Sequence, residues 1–367
     1  MQLHNNDALH DDDPMREGER LMTICNACRY CEGYCAVFPA MELRRQFKAV
    51  DLDYLANLCH NCAECYYACQ YAPPHEFAVN VPKTLAEIRL QSYRKYAWPR
   101  PLAKVFQHQA LTAILFVALI LAFAISRAGR SATGGNFYAV ISHRAMVLGF
   151  GAAAVLVVAA WIAGFARFWK TSGEGFTAFL QPRALGGALG DVLSLRYLSS
   201  GGAGCTYPTE HHSQARRWFH HLTFYGFMLC FASTCVAAVY DNLLGWKAPY
   251  PYLSLPVVLG TLGGAGLLIG PAGLAALKLR RNCAIADPKQ DGMDLTFIVL
   301  LFVSAATGLL LMVLRDTPAM STLLAVHLAV ILALFAMLPY GKFVHGIYRA
   351  AALVRYAVER MRPQARR

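Results

Sequence analysis

Two runs of four cysteines share one spacing, and that spacing dictates what this part of the chain must fold around. Cys25, Cys28, Cys31 and Cys35 are followed by Cys59, Cys62, Cys65 and Cys69, with two, two and three residues between successive members. This is the pattern by which thiolates hold a pair of [4Fe–4S] clusters. Three cysteines at intervals of three wrap one corner of a cubane, and the fourth ligates the neighbouring cluster. The spacing assigns one cluster to Cys25, Cys28, Cys31 and Cys69, and the other to Cys59, Cys62, Cys65 and Cys35. Zinc knuckles pair cysteines two and two across a gap of a dozen or more residues. Two tandem runs of four fit neither that pattern nor a disulfide scaffold.

The remainder of the chain is of a different character. Up to about Trp98 it is mixed and charge-rich. Beyond that, apolar runs of about twenty residues recur, the length needed to cross a bilayer. This explains an overall composition of 56% hydrophobic and only 15% charged residues. Asp11, Asp12 and Asp13, with no apolar core around them, do not read as a secretory signal, so the cysteine-rich part is expected in the cytoplasm. The net charge of +12 gathers at the ends of apolar segments. That is a membrane-orientation signal rather than a nucleic-acid surface.

Residues 1–100 are read as the cluster domain. Met41, Leu43, Phe47, Val50 and Leu55 recur at helical spacing between the cysteine runs, which points to an α-helical two-cluster ferredoxin. Six spans are expected at Ala110–Ser126, Ala145–Phe165, Trp218–Tyr240, Leu253–Leu277, Leu295–Leu314 and Ser321–Phe343. The first two fall in a segment 105–170, a polar loop covers 171–216, a four-helix bundle 217–348, and a basic tail 349–367. The fold class is all-α. Lys and Arg are concentrated before span one, in the long loop, after span four and at the end of the chain. The positive-inside rule then places both termini and the clusters in the cytoplasm.

The centres of the spans carry no Asp, Glu, Lys or Arg; what remains in or near the spans is histidine. Neutral imidazole is an axial ligand of haem, and b-type haem suits electron transfer. His327 and His345 are eighteen residues apart. On one continuous helix they share a face and stand about 27 Å apart, one near each side of the membrane. By depth, His220 or His221 is the inner partner of His345, and His143 is the candidate outer partner of His327. One or two b haems are expected. His211 and His212 are expected to be solvated, and His60, His75 and His108 to be structural or surface residues. Cys205, Cys230, Cys235 and Cys283 lack metal spacing and read as packing residues.

The chain resembles the tricarballylate utilisation protein B family, also known as citrate utilisation protein B. The resemblance is carried by C-N-A-C-R-Y-C-E-G-Y-C-A-V-F-P-A from Cys25 and C-H-N-C-A-E-C-Y-Y-A-C-Q-Y-A-P-P-H-E-F from Cys59. It continues in G-G-A-G-C-T-Y-P ending at Pro208 and R-R-W-F-H-H-L-T-F-Y-G-F from Arg216. Proline stands four residues after Cys35 and Cys69, at Pro39 and Pro73, rather than directly after the fourth cysteine as in the usual bacterial run. The resemblance implies a membrane partner for a cytoplasmic FAD-dependent tricarballylate dehydrogenase, taking its electrons to the quinone pool of the bacterial inner membrane. The last four spans are also similar to the cytochrome b subunit of respiratory nitrate reductase, which implies haem ligation by His327, His345 and one of His220 and His221. The stretch from Gly226 to Phe231 lacks the second histidine that those relatives carry there. Two other readings are a quinol-oxidising subunit feeding a soluble reductase, and a carboxylate transporter with a redox domain. The uncharged span centres count against the transporter.

Overall fold

The computed structural model describes residues 13–106, 108–127, 137–202, 204–206 and 211–362. Within them the chain is helical. The α-helices are α1 Pro14–Cys28, α2 Val37–Glu42, α3 Ala49–Leu58, α4 Glu64–Tyr67, α5 Val81–Tyr96, α6 Arg100–Val105, α7 Gln109–Arg127, α8 Phe137–Val140, α9 His143–Thr171, α10 Pro182–Leu193, α11 Ala215–Asn242, α12 Leu255–Leu279, α13 Pro288–Val313, α14 Met320–Met337 and α15 Val344–Met361. No β-strand occurs among the described residues; Cys205 and Ser213 form a single isolated bridge.

The cysteine domain is built on α1, α3 and α5. Asp13 caps α1 by accepting the Met15 N–H, with Pro14 opening the helix, where a missing N–H costs nothing. Asn80 caps α5 in the same way through the Lys83 N–H. Leu21, Met22, Leu52, Leu55, Leu85 and Ile88 are buried between the three helices. Gly18 allows the close approach, because a Cβ there would lie 2.6 Å from Ile88 Cδ1.

Among the described residues, five helices are long and apolar enough to span a membrane: α9, α11, α12, α13 and α14. A shorter apolar stretch, Gln109–Leu121, lies in α7. Leu111, Ile114, Leu119, Val155 and Ile162 are exposed along α7 and α9. So many outward apolar side chains belong in lipid rather than water, and the protein is a multi-pass membrane protein. Helices α11 and α12 approach through glycine. A Cβ at Gly226 would stand 2.9 Å from the Gly263 carbonyl, and one at Gly270 would stand 2.6 Å from the Thr223 nitrogen. Small residues let helix backbones meet closely where lipid offers no hydrophobic drive.

Two expectations are corrected here. The sixth span does not run to Phe343. Helix α14 ends at Met337 with Leu338 as its cap, and α15 begins at Val344. Pro339 disfavours helical geometry in the residue before it and cannot donate its own N–H to the preceding turn. His327 and His345 therefore lie on separate helices, and the five-turn phase argument does not apply. The segment from residue 349 is also not a tail. It is most of α15, whose face of Tyr348, Ala351, Ala352 and Tyr356 is buried.

Helix α15 ties the cysteine domain to the membrane helices. Glu359 pairs with Arg44 at 2.6 Å and with Arg355 at 3.0 Å, and accepts the Tyr54 hydroxyl at 3.1 Å. Both guanidinium groups lie over the Tyr54 ring. Removing one partner of a buried ion pair leaves the others uncompensated. Glu359→Ala is therefore expected to destabilise the fold by about 3–5 kcal/mol, measurable as earlier thermal unfolding in detergent.

Candidate functional site

The two cysteine runs form two cavities whose linings cross over. Cys25, Cys28, Cys31 and Cys69 line one; Cys35, Cys59, Cys62 and Cys65 line the other. Cys65 also borders the first cavity. Left-handed backbone at Arg29, Asn61 and Ala63 (φ 57°, 54° and 68°) turns the chain around each pocket. The Asn61 N–H points at Cys59 Sγ at 3.3 Å, and the backbone at Val37 and Phe38 bonds to Cys35. Burial, then neighbouring Cys31, Cys69 and Cys28, pushes the Cys25 thiol up to about 12. Burial and the nearby Cys62 and Cys59 push Cys35 up as well. Thiols packed so that their negative charges repel suit a cationic centre that binds thiolate. Among the described residues no three potential ligands converge on a single ion. A cubane spreads its ligands over four corners, so the residues present fit a cluster better than one metal ion.

Of the histidine candidates, His220 and His345 come together, with ring centroids 6.1 Å apart and the planes at 70°. His345 Nδ1 lies 2.6 Å from the Lys342 carbonyl. A carbonyl only accepts, so Nδ1 carries the hydrogen and Nε2 is left as the lone-pair nitrogen, the arrangement second-shell bonds impose on ligating histidines. Burial, then Lys342 and Arg349, holds His345 neutral. His220 Nδ1 is buried without a hydrogen-bond partner among the described residues. Lys342 in turn pairs with Asp294 at 2.8 Å. His221 instead stacks on Tyr225, at 5.7 Å and 11°, so His220 is the inner partner that the geometry selects. These features fit a metal-bearing group between His220 and His345.

The outer candidates are not joined. His143 pairs with Asp241 and packs edge-on against Tyr138. His327 Nδ1 lies 3.0 Å from Thr307 Oγ1, and its ring covers Gly308, where a Cβ would come within 2.9 Å of it. None of the described contacts of His143 involves His327.

Several residues without local signals converge on the second cysteine run. Arg216 donates to the carbonyls of Asn61 at 2.7 Å and His60 at 2.9 Å. Arg349 donates to the carbonyls of Asn57 and Cys59 and to His60 Nδ1. Burial and Arg89 lower Arg349 to about 10, so it remains charged at neutral pH. Arg216 is one turn before His220, and Arg349 one turn after His345. His212, expected to be solvated, meets Glu64 at 3.1 Å. Cys205 is fully buried and its thiol contacts that of Cys62. The described parts of the stretch 171–216 thus fold over the second run rather than forming an open connection.

The model for Citrate utilization protein B matches residues 98–366, and the model for the Fer4-like domain of the same protein matches residues 18–95. The chain belongs to the citrate utilization protein B family. It is 47% identical to Citrate utilization protein B of Escherichia coli over 358 residues, covering 95% of this chain and 94% of the relative. No solved structure matches it. In this family member the Fer4-like match covers both cysteine cavities, which supports iron–sulfur binding there, and the second match covers the helices that carry His220, His327 and His345. Gly308→Val is expected to displace the His327 ring at a cost of about 1–3 kcal/mol in thermal unfolding. Gly186→Ala, with open space around its Cβ, should change little.

Proposed function

We propose that this chain is the membrane electron carrier of a tricarboxylate-oxidising system, accepting electrons from a soluble FAD-dependent tricarballylate dehydrogenase and passing them to quinone. The observation that carries the reading is the join between the Cys35/Cys59/Cys62/Cys65 cavity and the His220/His345 pair. Arg216 and Arg349 hold the backbone of the cavity loop from helix positions one turn away from each histidine. An arrangement that puts two redox-capable sites in direct structural contact suits electron transfer and has no use in carboxylate transport.

In this reading Cys25, Cys28, Cys31 and Cys69 hold one [4Fe–4S] cluster, and Cys59, Cys62, Cys65 and Cys35 the other. His220 and His345 hold a b-type haem, with His345 kept neutral and oriented by Lys342. The bound groups supply one-electron chemistry, and the chain supplies ligands, burial and orientation. The cluster at Cys25 is the more accessible, with Cys28 exposed and Tyr30 67% exposed beside it, so the flavoprotein docks on that side. The basic residues at the membrane ends support a cytoplasmic cysteine domain in the bacterial inner membrane.

A reduced-minus-oxidised visible spectrum of the purified protein from haem-replete cells tests the histidine assignment. A sharp b-type α-band is expected. It should be lost or weakened in His220→Ala and His345→Ala and kept in His221→Ala. A wild-type spectrum with iron–sulfur bleaching alone overturns the haem. Cys62→Ser is expected to remove about half of the bound iron and to leave the partner flavin reduced when tricarballylate is supplied. Continued turnover to quinone in that variant would contradict the route.

A further inference from the structure

His60 stands where the cysteine domain meets the His220/His345 pair, and its hydrogen-bonding state is fixed by its neighbours. Arg349 Nη1 lies 2.8 Å from His60 Nδ1. A guanidinium has donors and no acceptor, so Nδ1 accepts and the hydrogen of the neutral ring is on Nε2. That Nε2 is buried and has no partner among the described residues, on a residue only 6% exposed. A buried N–H without an acceptor is costly, and such groups in native proteins call for an explanation.

His60 lines the cavity formed by Cys35, Cys59, Cys62 and Cys65 and is absent from the lining of the other. Sulfur in an iron–sulfur cluster is a hydrogen-bond acceptor, and bonds to it are among the factors that set reduction potential. We infer that His60 donates its Nε2–H to a sulfur of the cluster held by Cys35, Cys59, Cys62 and Cys65, and thereby raises the potential of that cluster and not of its neighbour. Arg349 is the positioning residue, because occupying Nδ1 leaves the donor on the other nitrogen. The inference rests on the cluster assignment proposed above. It gives the two clusters, otherwise bound by the same cysteine pattern, different potentials, with the higher one on the side of the histidine pair.

The test is a redox titration of the detergent-purified full-length protein followed by electron paramagnetic resonance. Cys28→Ser and Cys62→Ser assign the two cluster signals. His60→Leu is expected to lower the midpoint of the signal that Cys62→Ser removes and to leave the other in place. His60→Gln, which keeps an N–H at similar reach, should restore most of the shift. Unchanged midpoints in His60→Leu, equal shifts of both clusters, or no rescue by glutamine would each overturn the proposal. Should His60→Leu fail to assemble clusters, double resonance on wild-type protein labelled with 15N-histidine decides. An exchangeable N–H coupled to the Cys62-assigned signal, and altered in His60→Gln, supports the bond; its absence refutes it. A wild-type protein with no iron–sulfur signal would instead overturn the cluster assignment itself.

Discussion

Two half-buried arginines set the terms on which the cysteine domain meets the membrane helices. A guanidinium removed from water needs acceptors for its donors. Arg216 and Arg349 find them in the carbonyls of residues 57–61, which the turn between Cys59 and Cys62 leaves without helical partners. The charges and the unpaired carbonyls satisfy each other across the boundary. The cavity loop thus takes its shape partly from the membrane helices, and the start of α11 and of α15 is fixed by the loop. The contact between His220 and His345 depends on both helices being held in this way.

The same boundary gathers the less obvious contacts. Glu64, within the second cysteine run, meets His212. Cys205 meets Cys62. Lys342 turns its carbonyl to His345 and its amine to Asp294. All but the Lys342–His345 bond join parts of the chain far apart in sequence, and each lies beside the second cysteine cavity or the histidine pair. By contrast, the first cavity is flanked by exposed Cys28 and Tyr30. The cysteines of one cavity include an exposed member and those of the other include two buried ones, a difference that suits a protein receiving electrons at one surface and releasing them elsewhere.

Much of this was legible in residue spacing. Cysteines three residues apart are held close by the local backbone, and the two runs line two cavities, with Cys35 and Cys69 each on the cavity of the other run. Apolar runs of bilayer length carried over to the long helices. What failed was an average. The stretch after Met337 is apolar enough to prolong a span, yet Pro339 and Gly341 punctuate it, and backbone chemistry outweighed hydropathy. The amphipathic pattern of α15 was hidden by its arginines, which read as a basic tail until Glu359, Asp51 and the loop carbonyls were seen to receive them. The pairing of His143 with Asp241 is a long-range contact between helix ends and has no local signature. Choosing between His220 and His221 required the rotation of α11, which periodicity alone does not give.

The closing of the cysteine domain on Glu359 has a consequence for how the molecule is made. Arg44 and Tyr54 emerge from the ribosome early, whereas their partner arrives about three hundred residues later, after the intervening apolar helices have entered the bilayer. Until then the domain lacks one wall, since α15 supplies the surface against α3. Completion of the cysteine domain therefore waits on the synthesis of α15. A chain stalled partway would hold its cysteines in an unfinished fold, open to quality control.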